Sequence, residues 1–415
     1  MAGKTVGVGV VGTGRRGYEL GAIIARLRPE LQLEIRALCN RTPVRMEKAR
    51  DGIQAIYQEK GVSPSIRLYE NCADLIRDPQ IGLVMVTTSS YAHREPAVLA
   101  LQAGKKVYVD KPLAHTLEDS LAIYREQLRT NNPVIMSFTR RFERPWITAW
   151  DLVRQGVIGG LKMILVRDVI PYHTLFQTYA RKIAWSGGVL SEKMSHIFDV
   201  FNWFAQEEPK KVSAFGGQAV FVPDPSAPEC CSKCTRDCPY RVGGLEEKAR
   251  PDAMVDFDTS RVQESDILKR HDTCVWYPGA DTDDHGLISV EYARGIKASL
   301  FWAVFGPDSD DQETMELVGE KGRIILIRHH GRLDIVTDHG KRHEVLDARG
   351  ENFAGSHFGA DEEFIRELDR FCRGSTPTVT AKEGLLASRL VEAALRSSQA
   401  GGRLVWMEEV EQAAV

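Results

Sequence analysis

A strand that runs straight into Gly12-Thr-Gly14-Arg-Arg-Gly17 and then into a helical pattern leaves few folds open to this chain. Thr5 to Gly12 alternates β-branched residues with glycine and reads as a buried first strand. Tyr18 to Leu27 reads as a helix, ended by Pro29. In that setting Gly12 permits the tight turn, Gly14 lets backbone approach a pyrophosphate, and Gly17 lets helix and strand pack closely. Amides at the helix start then hold the diphosphate. Thr13, Arg15 and Arg16 complete the loop as cofactor-binding candidates.

Strand and helix signals keep alternating as far as residue 138. Strands are expected at Leu33–Cys39, Ile66–Tyr69, Leu83–Thr88, Lys106–Val109 and Val134–Phe138, with helices at Pro43–Gln58, Glu95–Ala103 and Leu117–Arg129. Such alternation predicts an α/β fold, a Rossmann-type doubly wound parallel sheet over residues 1–140, with ligands beyond the carboxyl ends of its strands. The end of the second strand usually carries an acid for the ribose 2′-hydroxyl of NAD. Here it carries Asn40, then Arg41, then Arg45 one helical turn on. Guanidinium beside a neutral residue suits a 2′-phosphate, which leans slightly toward NADP. Asn40 can equally bond a plain ribose, so NAD stays open.

Length and charge narrow the class. A chain of 415 residues predicts two domains, residues 1–140 and 141–415. The second is expected to be an α+β domain. Strand signals from Lys162–Ile170 through Arg342–Leu346 give it a large, mostly antiparallel sheet, and helices at Asp361–Cys372 and Lys382–Gln399 pack near the nucleotide domain. A net charge of −3 points to neither nucleic acid nor an anionic membrane as partner. No apolar run approaches the roughly 20 residues that span a bilayer, and the first residues lack a signal-peptide pattern. Eight cysteines are too sparse for a secreted disulfide scaffold, so the expectation is a reduced, cytoplasmic enzyme.

Within the second domain lies Trp185-Ser-Gly-Gly-Val-Leu-Ser-Glu-Lys-Met-Ser-His-Ile-Phe-Asp199. Val189, Leu190, Ile197, Phe198 and Phe201 recur with helical period, and on an α-helix Glu192 and His196 share a face. A carboxylate stacked on an imidazole can orient a proton carrier. In isolation the same pair is more often a surface ion pair on a core helix.

Four further stretches give the chain a resemblance. Val86-Thr-Thr-Ser-Ser-Tyr-Ala-His93, Ala100-Leu-Gln-Ala-Gly-Lys-Lys-Val-Tyr-Val-Asp-Lys-Pro112, Phe138-Thr-Arg-Arg-Phe142 and Gly156-Val-Ile-Gly159 resemble landmarks of the Gfo/Idh/MocA oxidoreductases. The stretch at 185–199 resembles that family's third motif. The departures are Asp110 where Glu is usual, Glu192 where Asp is usual and Met194 where glycine is usual. The resemblance implies an NAD(P)-dependent oxidoreductase acting on a secondary hydroxyl or keto group of a sugar, glycoside or cyclitol, with C3 of a glycosyl ring as one target. Lys111 is then the group that polarises the oxygen, His196 the acid/base, and Glu192 the residue that orients it or bonds substrate. Thr87, Thr88, His93 and Asp110 fall to the cofactor pocket, though His93 can instead cap the helix that follows. Tyr172, His173 and Arg141 are substrate candidates, each with a plain surface or ion-pair alternative. His357 precedes a helix that Asp361 can cap. The family also implies a homodimer or homotetramer paired through an open sheet face. Two rival functions keep the fold: an NAD-dependent glycosidase working by transient oxidation and elimination, and a non-catalytic nucleotide sensor.

A proline- and charge-rich insertion at about 223–274 holds Cys231, Cys234 and Cys238, with Cys274 at its end. Four thiolates at this spacing predict a closed tetrahedral zinc site. The same run overlaps part of an iron–sulfur pattern, and free or redox-labile thiols are the third reading.

Overall fold

The computed structural model describes residues 5–241, 272–351 and 353–412; the stretch 242–271 of the cysteine-rich insertion lies outside them. The chain divides into two compact units, Met1–Glu143 with Gly350–Ser388, and Arg144–Arg349 with Arg389–Val415.

The first unit is built on six parallel strands in the order β3-β2-β1-β4-β5-β6. These are β1 (Val6–Val11), β2 (Leu33–Cys39), β3 (Arg67–Tyr69), β4 (Leu83–Val86), β5 (Lys106–Val109) and β6 (Val134–Met136). The helices between them are α1 (Arg15–Arg26), α2 (Pro43–Glu59), α3 (Cys72–Arg77), α4 (Arg94–Gln102) and α5 (Leu117–Thr130). β1, β2 and β4 are buried almost end to end, as parallel strands covered on both faces must be. Local chemistry sets the helix ends. Pro43 opens α2. The Asn71 side chain accepts the Ala73 N–H at 2.8 Å, and Thr116 accepts that of Asp119 at 3.1 Å. Asn131 closes α5 in the left-handed region, φ 49°.

In the second unit nine strands run β14-β13-β12-β11-β7-β10-β9-β8-β15. In chain order they are β7 (Leu161–Val169), β8 (Pro209–Gly217), β9 (His285–Tyr292), β10 (Lys297–Ala303), β11 (Glu313–Gly319), β12 (Arg323–Ile327), β13 (Arg332–Thr337), β14 (Arg342–Asp347) and β15 (Val405–Trp406). Only β7 and β10 pair in parallel; the other neighbours are antiparallel. Its first helix is α6 (Arg144–Arg154), followed by the short α7 (Thr174–Gln177) and α8 (Ile183–Ser186) and by α9 (Ser195–Ala205). Period-two alternation turns Ile164, Val166, Ile288, Leu300, Trp302, Met315 and Leu317 into a core that α9 covers from β7. On the alternate phase Met163, Phe215, Leu287 and Phe301 remain exposed.

The chain closes with α10 (Ala360–Cys372), α11 (Ala381–Gln399) and α12 (Met407–Gln412). α10 packs on α1 and on the turn Thr139–Phe142, and Met136 donates its N–H to Val379 at 3.0 Å. The expected fold class is therefore what the chain adopts: a parallel α/β sheet followed by a mixed, mostly antiparallel one.

Candidate active site

In the first unit the glycine loop is locked from beneath. Thr87 donates its hydroxyl to the Gly12 carbonyl at 2.7 Å. A Cβ on Gly17 would lie 2.1 Å from that same carbonyl oxygen, and one on Gly12, at φ 100°, would meet the Thr87–Thr88 backbone at 2.6 Å. Gly14 differs: a Cβ there would meet nothing within 4 Å among the described residues. It is also the N-cap residue of α1, whose first turn carries no acid. An open backbone surface at a helix start fits a dinucleotide pyrophosphate.

Around this loop the other candidates divide. Asn40 is turned inward, its Nδ2 donating to Thr13 Oγ1 at 2.8 Å and its Oδ1 accepting the Thr42 N–H at 3.0 Å. Arg41 is exposed and reaches the Tyr91 hydroxyl at 3.3 Å. Arg45 is partly buried, and desolvation draws its guanidinium below its ordinary value. Arg15 pairs with Glu19 at 2.7 Å on the surface. Arg16 is committed elsewhere: its guanidinium is 2.8 Å from Asp361 and 3.6 Å from Asp110. Burial opposes that charge, but the carboxylates of Asp361 and Asp110 outweigh it and raise the pKa of Arg16 further. Asp361 also lies 2.8 Å from His357 Nδ1.

Lys111 follows β5, the neighbour of β4, so it leaves the same end of the sheet as the glycine loop. Two arrangements set its backbone. Asp110 accepts the Tyr108 hydroxyl at 2.8 Å and the Ser137 hydroxyl at 3.3 Å. Burial, reinforced by Asp110, holds Tyr108 well above the ordinary phenol value, so it stays a donor. On the other side His93, 1% exposed, lies with Nδ1 3.0 Å from the Pro112 carbonyl and Nε2 3.0 Å from the Thr88 carbonyl. Its ring makes no capping bond to α4. His93 thus joins the loop after β4 to the Lys111–Pro112 turn, whose peptide is cis. Arg141 is half-buried, and its neighbour Arg140 lies in the core 3.3 Å from Glu143.

The second unit presents its candidates on an irregular helix. A continuous α-helix was the expectation from Val189 onward, but Leu190–Met194 is a π-turn and α9 begins at Ser195. A π-turn holds an extra residue per hydrogen-bonded ring, so Glu192 and His196 are not related by a regular α-helical repeat. The Glu192 carboxylate accepts the Tyr179 hydroxyl at 3.2 Å. His196 is 8% exposed and Met194 fully buried. Tyr172 is exposed and its ring lies 5.1 Å beneath the Lys193 ammonium. His173 is buried, its ring 5.2 Å from that of Tyr240. Tyr179 and Lys193 were not apparent from sequence, because their partners come from separate elements.

The cysteines follow a different course from the one their spacing predicts. Cys231, Cys234, Cys238 and Cys274 do line one small cavity of about 20 Å³, with Gln177 and Tyr240. Among the described residues, however, no three His, Cys, Asp or Glu side chains form a group that could hold a metal ion. Gln177 Nε2 sits 3.9 Å from Cys231 Sγ, and the Arg236 N–H donates to Cys234 Sγ at 3.4 Å. Among the described residues the expected zinc set is not assembled.

A family model described as oxidoreductase family, NAD-binding Rossmann fold, matches residues 6–138, and its companion for the C-terminal alpha/beta domain matches residues 151–407. Inositol 2-dehydrogenase of Salmonella typhimurium is 27% identical over 217 residues, 51% of this chain and 58% of that protein. An uncharacterized oxidoreductase of Synechocystis is 30% identical over 139 residues, 32% of this chain and 37% of its own. The aligned regions thus span less than two thirds of these relatives. Among solved structures, an NAD binding oxidoreductase from Klebsiella pneumoniae superposes with a TM-score of 0.73 at 16% identity, covering 97% of this chain and 99% of its own. Levoglucosan dehydrogenase in complex with NADH and levoglucosan does so with a TM-score of 0.73 at 15% identity and the same coverage. Identity this low speaks for the fold alone. No described helix is long and apolar enough to cross a membrane.

Proposed function

The chain belongs to the Gfo/Idh/MocA family of NAD-binding oxidoreductases, and from that premise we propose a dehydrogenase that oxidises a secondary hydroxyl of a sugar, glycoside or cyclitol, with C3 of a glycosyl ring a leading target. The observation that carries this reading is the pairing, at one end of the parallel sheet, of an open Gly14 backbone with a Lys111 whose turn is fixed by His93. Relatives named inositol 2-dehydrogenase support the substrate class.

The nicotinamide of the bound cofactor supplies the hydride chemistry. Lys111 places its ammonium at the substrate oxygen and stabilises developing negative charge there. His196 removes the hydroxyl proton in oxidation and returns it in reduction. Glu192, steadied by Tyr179, orients the substrate or the imidazole. Thr13, Gly14 and Arg15 hold the diphosphate, while Arg16 serves the loop's own structure through Asp361. Arg41 and Arg45 favour the 2′-phosphate of NADP, with NAD the competing form. Tyr172 and His173 contribute substrate contacts. The exposed face of the nine-stranded sheet pairs subunits.

A panel of sugars and cyclitols, followed by nicotinamide absorbance with NAD and with NADP, tests the reading. The best substrate should lose about 10²- to 10⁴-fold in kcat/KM in both Lys111→Ala and His196→Ala. Glycoside cleavage without net cofactor reduction, or full turnover in either variant, would overturn it.

A further inference from the structure

Asp168 on β7 and Glu313 on β11 stand directly opposite each other in the antiparallel pair. Both occupy the inward phase of their strands, 0% and 1% exposed, in line with Ile164 and Val166 on one side and Met315 and Leu317 on the other. Two carboxylates opposed in this way repel, and burial makes an unpaired charge costly. Two cations answer them. Arg328, itself 7% exposed, places Nη1 3.2 Å from Glu313 Oε2. Lys193 places Nζ 3.5 Å from Asp168 Oδ2 and 3.9 Å from Glu313 Oε2.

Lys193 belongs to the π-turn and lies between Glu192 and His196 in the chain. A single π-turn within a helix has an α-helical competitor, so something outside its own hydrogen bonds must select it. A lysine anchored on two buried carboxylates of a rigid sheet does so, because any rewinding of residues 190–194 would carry the ammonium away from both. The Tyr172 ring beneath the ammonium adds a third contact on the same side.

We propose that Lys193 is a positioning residue: docked on the Asp168–Glu313 pair, it selects the π-turn and thereby sets the presentation of Glu192 and His196. The proposal rests on the roles given to those two residues above, but its structural half can be measured without a substrate.

Lys193→Met should lower kcat on the best hydroxyl substrate about 10²-fold, the scale of a misplaced reacting group, and leave KM for the nicotinamide cofactor within about twofold. Amide hydrogen exchange should quicken across residues 189–198 while β9 and β10 keep their protection. Lys193→Arg, whose planar fork can pair with both carboxylates, should regain most of the kcat and all of the protection. Wild-type kcat with unchanged exchange in Lys193→Met overturns the proposal; so does protection lost evenly over the second unit, which marks a purely structural cation. If Lys193→Met fails to fold, Lys193→Met with Glu313→Gln removes one charge of each sign. In that variant a low kcat with fast exchange at 189–198 supports positioning, and full recovery of kcat shows that Lys193 only balances charge, which overturns it. A wild-type protein that transfers hydride to no substrate defeats the reading of Glu192 and His196, while the exchange arm still decides whether Lys193 selects the turn.

Discussion

Arg16 and Cys39 show how far a residue's role depends on partners that its neighbours in sequence do not announce. Arg16 sits inside the glycine motif, where a cation reads as a phosphate ligand. Asp361, which draws it away, arrives on α10 from the far end of the chain. The thiols divide in the same way. Burial pushes Cys39 up to about 12, helped by Cys72, and pushes Cys372 up to about 12, helped by Asp369. Because the thiolate is the reactive form, a raised value means less of it at pH 8. Iodoacetamide at that pH should therefore spare Cys39 and Cys372 in the native protein and modify the half-buried Cys234 and Cys238 first, as peptide mass spectrometry would record. Early modification of Cys39 would contradict the burial assigned to the carboxyl end of β2. The four cysteines named from their spacing line one cavity, but among the described residues no three His, Cys, Asp or Glu side chains gather to hold a metal ion. Sulfur convergence depends on turn geometry that C-x-x-C does not encode.

At the scale of elements, what was legible followed from periodicity. β2, β5 and the start of α5 fall where the run of strand-forming residues or the helical period places them. The three-residue β3, the six-residue α3 and the two-residue β15 are too short to establish a period, and the last two went unread. The π-turn was invisible for a different reason. Leu190, Met194, Ile197 and Phe198 satisfy an α-helical stripe equally well, and only the sheet beneath distinguishes the two windings. Asp168 and Glu313 did leave a trace, an acid on the inward phase of an otherwise apolar strand, and such a position is a sound place to look for a buried cation. His93 also acts between elements. His93→Ala leaves the Thr88 and Pro112 carbonyls without their ring contacts, so urea unfolding should show a loss of about 1–3 kcal/mol, with kcat falling as the Lys111 turn loosens. An unchanged midpoint would mean that the ring bears no structural load.

For the whole molecule, alternation along the strands has an outcome on each side of the second sheet. One side is filled by α9 and its neighbours. On the other, Phe215, Leu287 and Phe301 are register partners across β8, β9 and β10, 58%, 52% and 52% exposed. A contiguous apolar row of this kind is a poor surface for a lone protomer. The expected species is a homodimer or homotetramer by light scattering. Leu287→Asp with Phe301→Asp should halve the mass at least, and an unaltered mass would remove this face from the assembly. The strand alternation was readable early because it depends on local pattern, whereas no pattern in one chain counts its copies. The row also bears on heat. If folded copies are held together through it, dilution favours unfolding by mass action, and the melting temperature should climb with protein concentration in the wild type and stay level in the doubly acidic variant.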